Sequence, residues 1–346
     1  MLADRRFSVD ATRPGYPARG PASRARRTGR GSFITMDAPE HTRLRRMLIS
    51  EFTVRRVEAL RPAIERTAAE LLDELAAGPQ PADLVRRYAL PLPSIVISAL
   101  LGVPYEDHAF FEDRARAMLD DSAGGEVDRA ATAELARYLG TLLHRRDIRR
   151  TGDLLGRLNA EQVETGALSR SDAVATAILL LITGHETTAD QIALSTAFLP
   201  DNPGHAEPFR HPDGPPATAV DELLRLLTIT HTGRRRVATA DVRHGDVTIR
   251  AGDGVLAAAD IANRDPDHFP DPDAVDLGRS PNHHLAFGHG EHLCLGHHLA
   301  RLELRIALTA LLRRLPRLRL AVPTGELPFR HAHPSYGIDR LPVAWD

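Results

Sequence analysis

The chain of 346 residues contains no lysine, and all 44 of its basic residues are arginine. Aromatic residues make up only 5% of it, with a single tryptophan and a single cysteine. One cysteine excludes an internal disulfide and any C-x-x-C redox or metal motif. The formal net charge is −2, so no global field draws the chain to nucleic acid or to an anionic membrane. Long apolar runs are also lacking. The longest, residues 173–182 around one threonine, is too short to span a bilayer and ends in the polar GHETT. No basic-then-apolar leader opens the sequence. With Ala, Leu, Gly and Pro abundant, the exclusive use of arginine reads as the coding bias of a GC-rich genome. These features predict a cytoplasmic protein with neither nucleic acid nor membrane among its partners, long enough to bury a large core.

What is present is mostly helical in pattern. A helix opens near His41 in HTRLRRMLISEF, and RRVEALRPAIERTAAELLDELAAG carries apolar residues at helical spacing up to a glycine stop. Residues 92–101, 132–144, 153–164, 171–198, 217–227 and 295–315 read the same way. Strands are few and short: RRVA, DVTI and GVLAAAD among Gly and Asp turns after residue 233, and LPVAW near the end. There is no internal repeat or low-complexity linker. The expected architecture is mainly α with small β-sheets, in one domain over residues 1–346. The stretch PGYPARGPASRARRTGRGSF breaks the helical pattern, and without interleaved aromatics its arginines read as a solvated, mobile loop.

The lone cysteine lies in FGHGEHLCLG, residues 287–296, just ahead of the strongly amphipathic LGHHLARLELRIALTALLRRL. That places Cys294 just before or at a helix N-terminus, where unpaired N–H groups and the helix dipole favour thiolate over thiol. A buried lone cysteine is usually an inert core residue. Here Gly290 and Gly296 allow a tight loop against something flat and bulky, and His292 lies two residues before the sulfur. Three chemistries compete. A cysteine hydrolase needs a base and an orienting residue, which can lie anywhere in the chain. A zinc site has His283, His284, His289, His292, His297 and His298 to draw on but a single thiol. Haem iron with an axial thiolate is the third, and only it uses the glycines and Phe287.

Phe287-x-x-Gly290-x-His292-x-Cys294-x-Gly296 resembles the haem-binding loop of the cytochrome P-450 monooxygenases, with every defining position filled. The resemblance implies haem b as cofactor, Cys294 as the axial iron ligand, and Phe287, Gly288 and Gly296 as part of the cofactor loop. Four further family motifs follow in the family's order. In LLLITGHETTAD, Glu186 and Thr187 are polar residues in an apolar helix, expensive unless bonded or functional. The zinc-protease H-E-x-x-H reading fails there, because the fifth position is Ala189. The resemblance makes Glu186 and Thr187 the candidate catalytic residues, delivering protons on the oxygen side of the haem. The plainer alternative is a threonine bonding back to the preceding turn. Thr183 departs from the family, where most members have Ala or Gly. Glu222-x-x-Arg225 resembles the buried pair that buttresses the cysteine loop. Ala274 stands where the family often adds a further Arg, which leaves Arg279 to complete that network. His41 and Arg45 share a helix face, and with Arg236 and His292 they resemble the residues that bind the haem propionates, a buried dianion that needs paired donors. NRDPDHFPDPDAVDLGR resembles the irregular lead-in to the loop. His297, His298, Arg301 and Arg305 fall on the face that in the family receives the electron donor, or else form a solvated helix face.

The resemblance spans essentially the whole chain and is closest to soluble bacterial members that tailor natural products. It implies a haem-thiolate monooxygenase that hydroxylates or epoxidises a small organic molecule with O2 and two electrons. With no flavin or dinucleotide motif in the chain, the implied electron donors are a ferredoxin and its NAD(P)H-dependent reductase. The alternatives are a haem-binding sensor or silent partner protein, and an oxygen-independent haem-thiolate isomerase or dehydratase. By resemblance the pocket walls are residues 33–36, TITHTG, the oxygen-side helix and HPSYGI. MLADRRFSVDATRPGYP looks like a family segment that normally follows a helix and the first sheet strands, so GVLAAAD is expected to leave an open sheet edge, with either self-association through it or low stability as the result.

Overall fold

The computed structural model describes residues 1–18, 32–119, 125–144, 153–212, 214–331 and 333–345. Most of the arginine-rich stretch read as a mobile loop lies outside these residues. The helices are α1 (Glu40–Leu48), α2 (Val54–Ala77), α3 (Pro91–Leu101), α4 (His108–Leu119), α5 (Gly125–His144), α6 (Leu154–Leu158), α7 (Arg170–Phe198), α8 (Pro203–Arg210), α9 (Thr218–Leu226), α10 (Ala259–Ala262) and α11 (His297–Arg314). The strands are β1 (Phe7–Ser8), β2 (Ala82–Asp83), β3 (Arg234–Ala238), β4 (Val242–His244), β5 (Val247–Ile249), β6 (Gly254–Ala257), β7 (Arg319–Leu320) and β8 (Pro342–Ala344). The chain is thus mainly α with small sheets, as its periodicity predicts.

The long helix α7 organises the rest. Ser169 caps it by accepting from Asp172 N at 3.1 Å, which satisfies one of the N–H groups a helix start leaves bare. Its residues are buried on nearly every side, which is why it shows no single apolar stripe. It packs against α3, α5 and α11, while α2 packs along α11. The core runs through all of these, with Leu92, Ala177, Ile192, Ala307 and Leu311 fully enclosed.

Three small sheets lie at the margins: β1-β3-β6, β2-β8-β7 and the β4-β5 hairpin. β3 is central in the first, with Phe7 opposite Ala238 and Arg236 opposite Val255. Two elements of this sheet refine the reading of the sequence. The early segment does supply a strand, β1. And GVLAAAD yields only Gly254–Ala257, because α10 begins two residues later. The outer edge of β6 has no partner among the described residues, and Leu256 on it is 53% exposed.

Candidate functional site

Between α7, α11, β3 and the cysteine loop lies a cavity of about 480 Å3, with Thr187, Ile229, Arg236, Phe287, His292 and Cys294 in its wall. The loop is pinned by Cys294 N donating to Phe287 O at 2.9 Å and Gly288 N donating to Leu285 O at 2.8 Å. Gly288 and Gly290 have φ of 76° and 78°, a left-handed region open to glycine. Gly296 has φ −86° and lies in the cavity wall with open space where a Cβ would stand, and its N–H donates to the Cys294 sulfur.

The helix begins at His297, so the sulfur stands ahead of it rather than in its first turn. Cys294 has accessible surface, but that surface is cavity wall. Burial pushes its thiol above the ordinary range, while the Gly296 N–H and the guanidinium groups of Arg234, Arg45 and Arg301 pull the other way without prevailing. A cation at the sulfur is the missing favourable partner.

The anion-binding set comes together as expected, with one displacement. Arg45, Arg236 and His292 line the cavity, while His41 is 1% exposed and stands behind His292, the rings 4.0 Å apart. Neither ring nitrogen of His41 has a partner, nor does Nε2 of His292. Burial and the neighbouring His41 and Arg236 push His292 down to about 4. Burial pushes Arg236 below the usual guanidinium range. Unpaired imidazole nitrogens beside two arginines fit a group that brings negative charge, as haem propionates would. Arg45 also donates to Leu293 O at 2.6 Å, tying α1 to the loop.

Arg234 was not singled out from the sequence. It lies two residues before Arg236, on the same face of β3, and that spacing was the available signal. Arg234 donates to Ala286 O at 2.7 Å, and a Cβ on Gly288 would sit 3.2 Å from its Nε. Glu303 of α11 was missed as well. It lies in the cavity wall, fully buried, and burial raises its carboxyl well above the usual range.

Glu186 and Thr187 are adjacent yet face different spaces. Thr187 is in the cavity wall, its hydroxyl donating to Thr183 O at 2.7 Å, so the back-bond offered as the plainer reading is present. Thr183 lines the cavity beside it and donates to Leu179 O at 2.8 Å. Glu186 lines a separate chamber of about 70 Å3 and accepts from Arg330 Nη1 at 2.9 Å.

Behind the loop, Glu222 and Arg225 are fully buried and doubly bonded at 2.8 Å. Arg279 fills the place left by Ala274, its Nε 3.2 Å from both Glu222 oxygens, and Ala274 contributes its carbonyl to Arg225 instead. Burial opposes ionisation of Glu222, but the bonds from Arg225 and from Asp276 N hold it below the usual range. On α11, Arg301 donates to Asp221 at 2.7 Å and lies 4.6 Å above the Phe287 ring, and Arg305 donates to Pro215 O at 3.1 Å. Arg301 and Arg305 are thus partly buried and tied to α9 and to the segment before it. Among the described residues no three His, Cys, Asp or Glu side chains converge to hold a zinc ion.

Residues 217–325 match the cytochrome P450 family model. The chain is 48% identical to cytochrome P450-SU2 of Streptomyces griseolus over 345 residues, all of this chain and 85% of that protein. It is 46% identical to pentalenic acid synthase of Streptomyces avermitilis, again over all of this chain and 85% of that one. The crystal structure of mycinamicin VIII C21 methyl hydroxylase from Micromonospora griseorubida, bound to mycinamicin VIII, superposes with TM-score 0.89 at 42% identity, covering 99% of this chain and 87% of that one. The chain belongs to the cytochrome P450 family. It is a monooxygenase, and its cofactor is haem with an axial thiolate.

Proposed function

We propose that this P450 hydroxylates or epoxidises a medium-sized or large, partly oxygenated natural product. The observation that carries the reading is the convergence of one sulfur, one anion-binding cluster and one oxygen-side hydroxyl on a single cavity wall. In this reading Cys294 holds the iron, with Phe287, Gly288 and Gly296 shaping the loop around it. His292, Arg45 and Arg236 hold the propionates, with His41 behind them. Haem, when bound, supplies the oxygen-activating chemistry. The protein supplies position and a polar relay: Thr187 offers a hydroxyl to the cavity, and Glu186, one residue before it, sets its carboxyl group on the far side of α7 as the proton carrier of this reading.

Substrate class is supported by the cavity wall, where Thr183, Thr230, Thr232 and Gln191 alternate with Ile34, Leu180 and Ile229. It is also supported by relatives whose names specify pentalenic acid synthesis and mycinamicin hydroxylation. The same reading includes a single domain over residues 1–346, a cytoplasmic setting in which the lone thiol stays reduced, and electrons from a ferredoxin and its NAD(P)H-dependent reductase. Self-association, in this reading, runs through the open edge of β6.

The test is spectroscopic. The ferrous carbon-monoxide complex is expected to show the red-shifted Soret band of thiolate-ligated haem, and Cys294→Ala is expected to abolish it. Retention of the band by the variant would remove Cys294 as ligand. A panel of partly oxygenated natural products, mycinamicin VIII included, is then screened for the Soret shift of substrate binding. Turnover of a hit is expected to require both O2 and electrons.

A further inference from the structure

Thr183, Thr187 and Gln191 succeed one another at i, i+4 and i+8 on the cavity face of α7. Glu186 and Asp190, also i and i+4, face the opposite way into the small chamber with Glu112, Arg116 and Arg330. One piece of chain touches both spaces. Near the C-terminus two arms, residues 329–331 and 333–338, come together at the Phe329–Ile338 bridge. Pro334 from one arm lies in the cavity wall, and Arg330 from the other lies in the chamber wall.

These arms are stiffly tied together. Arg330 N donates to Gly337 O at 2.9 Å, and Tyr336 N donates to Ile229 O at 2.8 Å, another cavity residue. The rings of Phe329 and Tyr336 stack with centroids 5.6 Å apart and planes within 4°. Gly337 has no side chain because a Cβ there would fall 2.2 Å from Asp190 Oδ1 and 2.5 Å from Arg330 Nη2. Arg330 in turn clamps α7: Nη1 donates to Glu186 Oε1 at 2.9 Å and Nη2 donates to Asp190 Oδ1, while Ser335 Oγ donates to Asp190 Oδ2 at 2.5 Å. Nε2 of His333 lies 3.4 Å from Glu186 Oε1. The second oxygen of Glu186 is buried without a partner, so the carboxylate is held through one oxygen only. Pro334 and Arg330 are thus joined through these contacts.

We propose that this C-terminal turn reads the occupancy of the cavity: a ligand pressing on Pro334 draws Arg330 off Glu186 and frees that carboxylate to serve the Thr187 side of α7. Arg330 is then a positioning residue. The inference rests on the reading of Glu186 and Thr187 as the proton-handling pair. A ligand moves such an equilibrium only through its different affinity for the two states, and the coupling is reciprocal. If occupancy loosens the clamp, loosening the clamp by substitution must tighten ligand binding.

The experiment uses the haem-loaded protein and econazole, an azole whose nitrogen ligates haem iron and whose aryl groups fill the space above it, titrated by the Soret shift. Arg330→Gln is expected to bind econazole about 5-fold or more tightly than the parent, the lower end of ordinary allosteric couplings, with Arg330→Lys in between. In a Pro334→Gly background the Arg330→Gln gain is expected to disappear. Amide hydrogen exchange across residues 333–338 is expected to speed up on econazole binding in the parent and to stay unchanged in Pro334→Gly. Equal affinities for parent and Arg330→Gln, or the same gain with and without Pro334, would overturn the inference. If Arg330→Gln does not retain haem, Ser335→Ala loosens the same clamp from its other end and carries the same expectation. The carbon-monoxide band and the Thr187→Ala coupling ratio separate the two failures. If both behave as the proposed function requires while econazole affinity ignores Arg330, only the coupling is wrong.

Discussion

The molecule holds two buried glutamate–arginine constellations, and they are built to opposite standards. Around Glu222 both carboxylate oxygens are multiply bonded, by Arg225, by Arg279, by Asp276 N and by Asn282 Nδ2 at 3.0 Å. Arg225 spends its remaining donors on the carbonyls of Asn263, Pro272 and Ala274. Around Glu186 one oxygen has Arg330 and His333 beside it and the other has nothing. A fully satisfied network in a low-dielectric setting has one arrangement and holds the segment leading into the cysteine loop like a bracket. A half-satisfied one keeps a second arrangement within reach. The difference separates scaffold from moving part inside one core.

Substitutions sharpen that contrast. The largest effect is expected at the scaffold. Arg225→Leu leaves Glu222 a buried charge short of its main partner and is expected to cost about 3–5 kcal/mol of unfolding free energy, read by urea denaturation, with haem content falling alongside. A loss below about 1 kcal/mol there would dissolve the distinction between the two networks. On the moving side the effect is expected in chemistry. Thr187→Ala should leave haem content and ligand binding nearly intact while the ratio of product formed to NAD(P)H consumed drops on the order of 10-fold, electrons being diverted to peroxide. Unchanged coupling would assign Thr187 the structural back-bond alone.

The third expectation concerns pH. Burial raises the Asp190 carboxyl to about 8, with Arg330 and Ser335 opposing, so below that pH Asp190 carries a proton. The native state therefore binds a proton that the unfolded chain has lost at the same pH. Stability from this group is fully present below the unfolded carboxyl value and is lost as pH rises through about 8, with a slope of at most about 1.4 kcal/mol per pH unit. Asp190→Asn is expected to flatten that slope in melts run from about pH 5 to pH 9. The smallest effect is expected for Glu186→Gln. With one oxygen already unpartnered and Arg330 still bonded to Asp190, the loss should stay near about 1 kcal/mol, in contrast to the change at Arg225.

Much of the site was legible because its parts are local. The cysteine loop is ten consecutive residues, His41 and Arg45 are one helical turn apart, and so are Glu222 and Arg225. What stayed hidden depends on distance along the chain. Arg330 meets Glu186 across 144 residues, with no periodicity to announce it. Strands β1, β2 and β7 have two residues each, too few for any alternation. Helix α8 carries Pro208 within it, which reads as a break. The burial around Cys294 stayed hidden for another reason: a helix terminus is visible in sequence, while the protein mass that desolvates the sulfur is not.

The arginine-only cation set gives partner mapping a direction. No side chain here carries a primary amine, so in zero-length carboxyl-to-amine coupling a donor protein's acids find nothing to join along these side chains. The acids of this chain, Asp221 beneath Arg301 and Glu291 in the cysteine loop among them, can still capture a donor's lysines. Every side-chain cross-link so formed records which protein contributed the carboxylate.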